Sequence, residues 1–114
     1  MHISENTYIK EVRTAMRGGD GEVILEHFTK ELLPPNTRLM ARITLNKGCS
    51  IGYHVHENET ENFYFVSGCG IANDNGTQIT VKAGDTLITK SGEGHSVKNT
   101  SDIPLVIIAT IILN

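Results

Sequence analysis

The chain of 114 residues has no tryptophan, only two cysteines and three prolines, and little amphipathic helical periodicity, and each shortage removes a class of protein. Cys49 and Cys69 are too few to staple a secreted disulfide scaffold and read as small buried hydrophobes or idle thiols. The longest apolar stretch, PLVIIATIILN at the C-terminus, is too short to span a bilayer and is broken by Thr110. The N-terminal stretch lacks the apolar segment of a secretory leader, so a cytoplasmic protein with no membrane partner is expected. Charge of one sign is not concentrated anywhere: 13 acidic and 10 basic residues are interspersed, for a formal charge of -3. Without a basic block, no nucleic-acid partner is expected.

What the chain does have is short β-prone runs separated by Gly and Asn. EVILEHF, LMARITL, SIGYHVH, NFYFV, QITV, DTLITK, HSVKN and LVIIATIIL are of strand length, and RGGDG, LPPN, NKG, SGCG, NDNG, KAGD and SGEG break them. Many short strands with regular turns predict an all-β sandwich or barrel. The length suits one domain over residues 1–114, large enough to bury a core. NDNG at 73–76 is a hairpin signal, because Asn and Gly accept the positive φ of tight turns. A short helical segment is accommodated only near ENTYIKEVRTAM or TKELL, where Pro34 and Pro35 would end it.

The stretch GYHVHENETENFYFVSG, 52–68, carries the chemistry. Residues two apart in a strand share a face, so His54 and His56 project together while Val55 points away. After a turn through Glu57–Thr60, a returning strand would put Glu61, Phe63 and Phe65 on one face, and such a hairpin could set Glu61 beside the two imidazoles. His95 follows a Gly-rich turn at the start of a later strand. Three imidazoles and a carboxylate suit one divalent Mn, Fe, Ni, Zn or Cu ion and would leave an octahedral ion two free positions.

The spacing from Gly48 through His54, His56 and Glu61 to Gly68 resembles the first motif of the cupin superfamily. The spacing from Gly84 through Lys90, Gly92 and His95 to Asn99 resembles the second, with Lys90 in place of its proline. The motifs span 48–68 and 84–99, and the flanking strands look like those of small single-domain bacterial cupins. The resemblance implies a double-stranded β-helix, a jelly-roll barrel, with His54, His56, Glu61 and His95 as metal ligands inside it. It leaves the reaction open, since the fold hosts dioxygenases, decarboxylases, isomerases and passive binding proteins. A set with a carboxylate and no thiolate favours an open site over a closed structural one. A metal-dependent enzyme of the dioxygenase type acting on a small oxygen-rich molecule is the leading expectation; a sugar or small-acid isomerase or decarboxylase and a non-catalytic small-molecule binding module are the alternatives. No catalytic acid or base stands out beyond the metal set.

Other residues divide between roles. Lys90 reads as a solvated turn residue, its alternative being a contact for an anionic substrate at the barrel mouth. Glu57 and Glu59 read as turn residues, although Glu59 shares the parity of Glu61 and could replace it as a ligand. His2 and His27 read as solvated or packing residues. Phe63 and Phe65 would line the barrel beside the metal and narrow a substrate pocket. Arg42 faces opposite to Leu39, Ala41, Ile43 and Leu45: if those four pack outside the barrel, its guanidinium enters the cavity and can hold an acid, and in the reverse case it is solvated. The near-continuous apolarity of LVIIATIIL means that its outer face meets either an N-terminal strand or a second copy, and a homodimer is expected.

Overall fold

Alternation of apolar and polar side chains, with many β-branched residues, sets strand after strand along this chain. The computed structural model describes residues 1–114, and its strands are β1 (Ile9–Thr14), β2 (Glu22–His27), β3 (Thr37–Leu45), β4 (Ser50–Val55), β5 (Glu59–Ser67), β6 (Cys69–Asp74), β7 (Thr77–Lys82), β8 (Thr86–Thr89), β9 (Gly94–Asn99) and β10 (Leu105–Leu113). They form a six-stranded sheet in the order β1-β2-β3-β10-β5-β8 and a four-stranded sheet in the order β4-β9-β6-β7, all pairs being antiparallel. This is the all-β jelly roll of the double-stranded β-helix type that the sequence predicts. No helix is long and apolar enough to cross a membrane.

The two sheets face each other across one core. Val23 and Leu25 of β2, Ile43 and Leu45 of β3, Phe65 of β5 and Leu105 and Ile107 of β10 meet Ile51, Ala72, Val81 and Val97 of the smaller sheet. Each of the larger side chains, once buried, contributes roughly 1.5–3 kcal/mol, which is why the alternation fixes the register. The expected NDNG hairpin is present: Asp74 pairs with Thr77 across Asn75 (φ 49°) and Gly76 (φ 102°), the two positive values that a two-residue primed turn requires.

Two expectations need correction. The stretch near ENTYIKEVRTAM is not helical beyond single 3-10 turns at Glu5–Thr7 and Met16–Gly18; its middle is β1, and no helix forms in TKELL. An edge strand with polar residues on both faces leaves little apolar alternation to read. Nor does an N-terminal strand cover β10. β1 extends the sheet edge beyond β2, and β10 lies between β3 and β5 with Leu105, Ile107, Ala109 and Ile111 buried and Val106, Ile108 and Thr110 half-buried on the outer face.

Candidate metal centre

Strand pairing explains how residues far apart in sequence meet. His54 on β4 and His95 on β9 are direct cross-strand partners, and His56 follows immediately after β4, on the same face as His54. Glu61 reaches them by a different route from the expected hairpin. β4 and β5 do not pair; the chain passes from one sheet to the other through Glu57 and Asn58 (φ 62°), and Glu61 faces the three imidazoles across the barrel. One sheet thus supplies the imidazoles and the other the carboxylate.

One donor atom from each of His54, His56, Glu61 and His95 lies within 4.8 Å of all the others. Nε2 of His95 is 3.2 Å from that of His54 and 3.1 Å from that of His56. Oε1 of Glu61 is 3.0 Å from Nε2 of both His56 and His95. Bonds of about 2.1 Å to an octahedral ion would set neighbouring ligand atoms about 3.0 Å apart, so the spacing fits a divalent metal.

The tautomers fit as well. Nδ1 of His54 is 2.8 Å from the Gly52 carbonyl, which only accepts, and Nδ1 of His56 is 2.6 Å from Oε2 of Glu59. In its neutral form each of these rings therefore carries its hydrogen on Nδ1 and turns a bare Nε2 toward His95 and Glu61. Nδ1 of His95 is 2.8 Å from the Thr89 hydroxyl, and its ring stacks on Phe63 with centroids 4.8 Å apart. A lone N–H of His95 could satisfy only one of the converging lone pairs; a cation satisfies them together.

Protons compete with an ion for the same atoms. Burial opposes ionisation of Glu61, but hydrogen bonds donated by a protonated Nε2 of His56 and of His95 outweigh it and hold the carboxyl at about 2. The Glu61 bond raises the pKa of His56 against the effect of burial, with Glu59 adding to it. Burial lowers that of His54, helped by the neighbouring charges of His95, His56 and Arg17.

Beside the cluster is a cavity of about 60 Å³, lined by His54, His56, Glu61 and Phe63 and by three arginines, Arg13, Arg17 and Arg38. Arg13 on β1 binds Glu11 through Nε at 2.9 Å, and Glu11 in turn meets Nε2 of His27 at 2.8 Å. Arg38 binds both carboxylate oxygens of Glu59, at 2.9 and 2.8 Å. Strict alternation along β3 would turn Arg38 outward with Met40 and Arg42. The pairing of β3 with β10 slips here, Leu39 facing Ile111 and Thr37 facing Ile112, so that Arg38 is the unmatched residue of a bulge. Such an insertion re-aims a side chain, and no composition rule marks it in the sequence.

Arg42 is a correction: it does not enter the cavity. Ala41, Ile43 and Leu45 are buried inside, which places Arg42 on the outer face, where it binds Glu26 at 3.1 and 2.9 Å and Glu5 at 2.8 Å, and its guanidinium lies 5.7 Å from the Tyr8 ring centre. Phe63 lines the cavity, whereas Phe65 is fully buried in the core and does not reach it. Glu59 is neither a turn residue nor one of the four clustered donors; it opens β5 and orients His56. Lys90 has an exposed side chain, and its backbone N–H, which proline would lack, donates to Oε1 of Glu93 at 2.9 Å.

Comparison with known proteins gives a consistent picture. The family described as Cupin domain matches residues 41–111. The chain is 46% identical over 99 residues to an oxalate-binding protein of Thermotoga maritima, an alignment covering 86% of this chain and 82% of the relative. A crystal structure from Thermotoga maritima described as a predicted oxalate decarboxylase superposes with a TM-score of 0.93 at 42% identity, over 100% of both chains. A sugar phosphate isomerase of a cupin superfamily from Silicibacter pomeroyi superposes with a TM-score of 0.82 over 100% of this chain and 76% of the other, at 14% identity, a likeness of fold alone.

Proposed function

The chain belongs to the cupin family, and from that premise we propose that it binds a small dicarboxylate of the oxalate class at a divalent metal ion held by His54, His56, Glu61 and His95. The observation that carries the reading is the lining of the cavity: three arginines border the space beside the four donor atoms, and one of them, Arg17, has no carboxylate partner. A free guanidinium fork matches carboxylate geometry, and beside a partly apolar cavity it holds an anion more strongly than in water. A divalent ion bound there supplies Lewis acidity toward a carboxylate oxygen. The volume of about 60 Å³ suits a molecule of a few heavy atoms and excludes a polymer. The name of the Thermotoga maritima relative, an oxalate-binding protein, agrees with this class.

Binding is favoured over turnover. The titratable side chains lining the cavity are the three arginines, His54, His56 and Glu61, so no uncommitted acid or base stands ready to move a proton on a bound acid. The expected dioxygenase chemistry gains nothing specific from these walls, which favour a second carboxylate over dioxygen. Isothermal titration of protein loaded separately with Mn(II), Co(II) and Zn(II), with release of formate and CO₂ followed in parallel, tests the reading. Oxalate should bind only to loaded protein and remain intact. Absence of oxalate binding with every ion would overturn the proposal, and formate release would convert it to a decarboxylase.

We also propose a homodimer through the outer face of the larger sheet. Tyr64, Val66, Ile88 and Ile112 are exposed on that side, and Asn62 beside them has a buried Oδ1 with no partner within the chain. A second copy seated there would cover the apolar side chains.

A further inference from the structure

The three arginines of the cavity are not equivalent. Arg13 is neutralised by Glu11 and Arg38 by Glu59, each through a short ion pair. Arg17 makes no ion pair and no side-chain hydrogen bond with any residue, although it lines the same cavity. It also sits on an improbable piece of backbone. Ala15 (φ 53°), Arg17 (φ 55°) and Gly18 (φ 82°) are all left-handed, a conformation that costs a non-glycine residue about 1 kcal/mol or more and persists only where the surroundings impose it.

Those surroundings are specific. The turn is closed by Gly18 N–H to Ala15 O at 3.0 Å and Gly19 N–H to Met16 O at 2.9 Å, and it is pinned to β4 by Ser50, whose N–H donates to Asp20 O and whose Oγ accepts from Asp20 N–H, both at 2.8 Å. The Arg17 carbonyl lies so close to Gly52 that a Cβ there would collide with it. Gly52 is also the residue whose carbonyl orients His54. The strand that presents the first imidazole therefore fixes the turn that presents Arg17.

Charge decides what this arrangement selects. A divalent ion with Glu61 leaves one positive charge, and the pairs Arg13 with Glu11 and Arg38 with Glu59 add none. Arg17 adds a second. Two uncompensated positive charges bordering a small cavity match a doubly charged acid, whereas a singly charged one leaves the Arg17 charge unneutralised. We infer that Arg17 sets the preference of the cavity for a dicarboxylate over a monocarboxylate, an inference that rests on the function proposed above.

The test uses Mn(II)-saturated protein and two probes, oxalate and glycolate, which both offer two oxygens to an ion and differ by one charge. Wild type should prefer oxalate. In Arg17→Gln, oxalate affinity should fall about tenfold, the scale of one hydrogen bond to a charged group, and glycolate affinity less than threefold. Arg17→Lys, which restores the charge, should recover most of the preference. Because the Arg17 side chain bonds to nothing in the fold, both variants should keep the wild-type melting temperature. Equal losses for the two acids, or an unchanged ratio, would overturn the role of Arg17. Wild type that takes up no oxalate would instead remove the function beneath it, a result read before any variant is made.

Discussion

The far nitrogens of the three imidazoles are held by three different groups: a backbone carbonyl for His54, a carboxylate for His56 and a hydroxyl for His95. The carboxylate is the exceptional one, because Glu59 is itself gripped by both nitrogens of Arg38, whose bond lowers its pKa below the ordinary carboxylate range. Outer partners of this kind are worth about ten- to hundredfold in metal affinity. Glu59→Ala should therefore weaken Mn(II) binding by that factor, and Glu59→Gln by less, since an amide oxygen still accepts from Nδ1. Titration of Mn(II) followed by electron paramagnetic resonance would measure it, and equal affinities in all three proteins would rule out an orienting role. The clustered side chains themselves were legible in the sequence, because strand parity at His54, His56 and Glu61 and the motif spacing to His95 survive any detail of packing. The arginines were not. Arg38 enters through a bulge, Arg17 through a left-handed turn and Arg13 on an edge strand, three devices that leave no periodic trace. Arg42, read from alternation alone, had two possible faces, and its salt bridges with Glu26 and Glu5 belong to the outer one.

Elements rather than residues explain why Asn99 ends the second motif. It closes β9 with its amide fully buried, donating from Nδ2 to Leu45 O at 2.8 Å and to Ile103 O at 2.7 Å while Oδ1 accepts from Ser101 N–H at 2.9 Å. One side chain thus ties the end of β9 to the end of β3 and to the loop that leads into β10. Asn99→Ala would strand two carbonyls and an N–H, each costing about 1–3 kcal/mol unless water reaches it. A loss of roughly 2–4 kcal/mol is expected by urea denaturation, and a change under 1 kcal/mol would mean that the loop repacks without it. Strands with one clean buried face, such as β3, β5 and β10, were readable from composition, while β1 was not, having no fully buried residue.

At the scale of the whole molecule, the proposed homodimer rests on the outer face of the larger sheet. Ile88, more than half exposed, projects beside Tyr64 and the orphan Oδ1 of Asn62. Sedimentation at micromolar concentration should give twice the monomer mass, and Ile88→Asp should return it to the monomer by burying an unpaired charge at the interface. A wild-type monomer would refute the homodimer. The passage of the chain from β4 to β5 has a consequence of another kind, in time. Glu61 lies on β5 between β8 and β10, so the sheet that holds it opposite the imidazoles is complete only with β10, which ends at Leu113. During synthesis at about 5–20 residues per second, the histidine pair at 54 and 56 waits seconds for its carboxylate. The four donors cannot meet around a nascent strand, so any ion they take up is chosen by the finished barrel from whatever its compartment then offers.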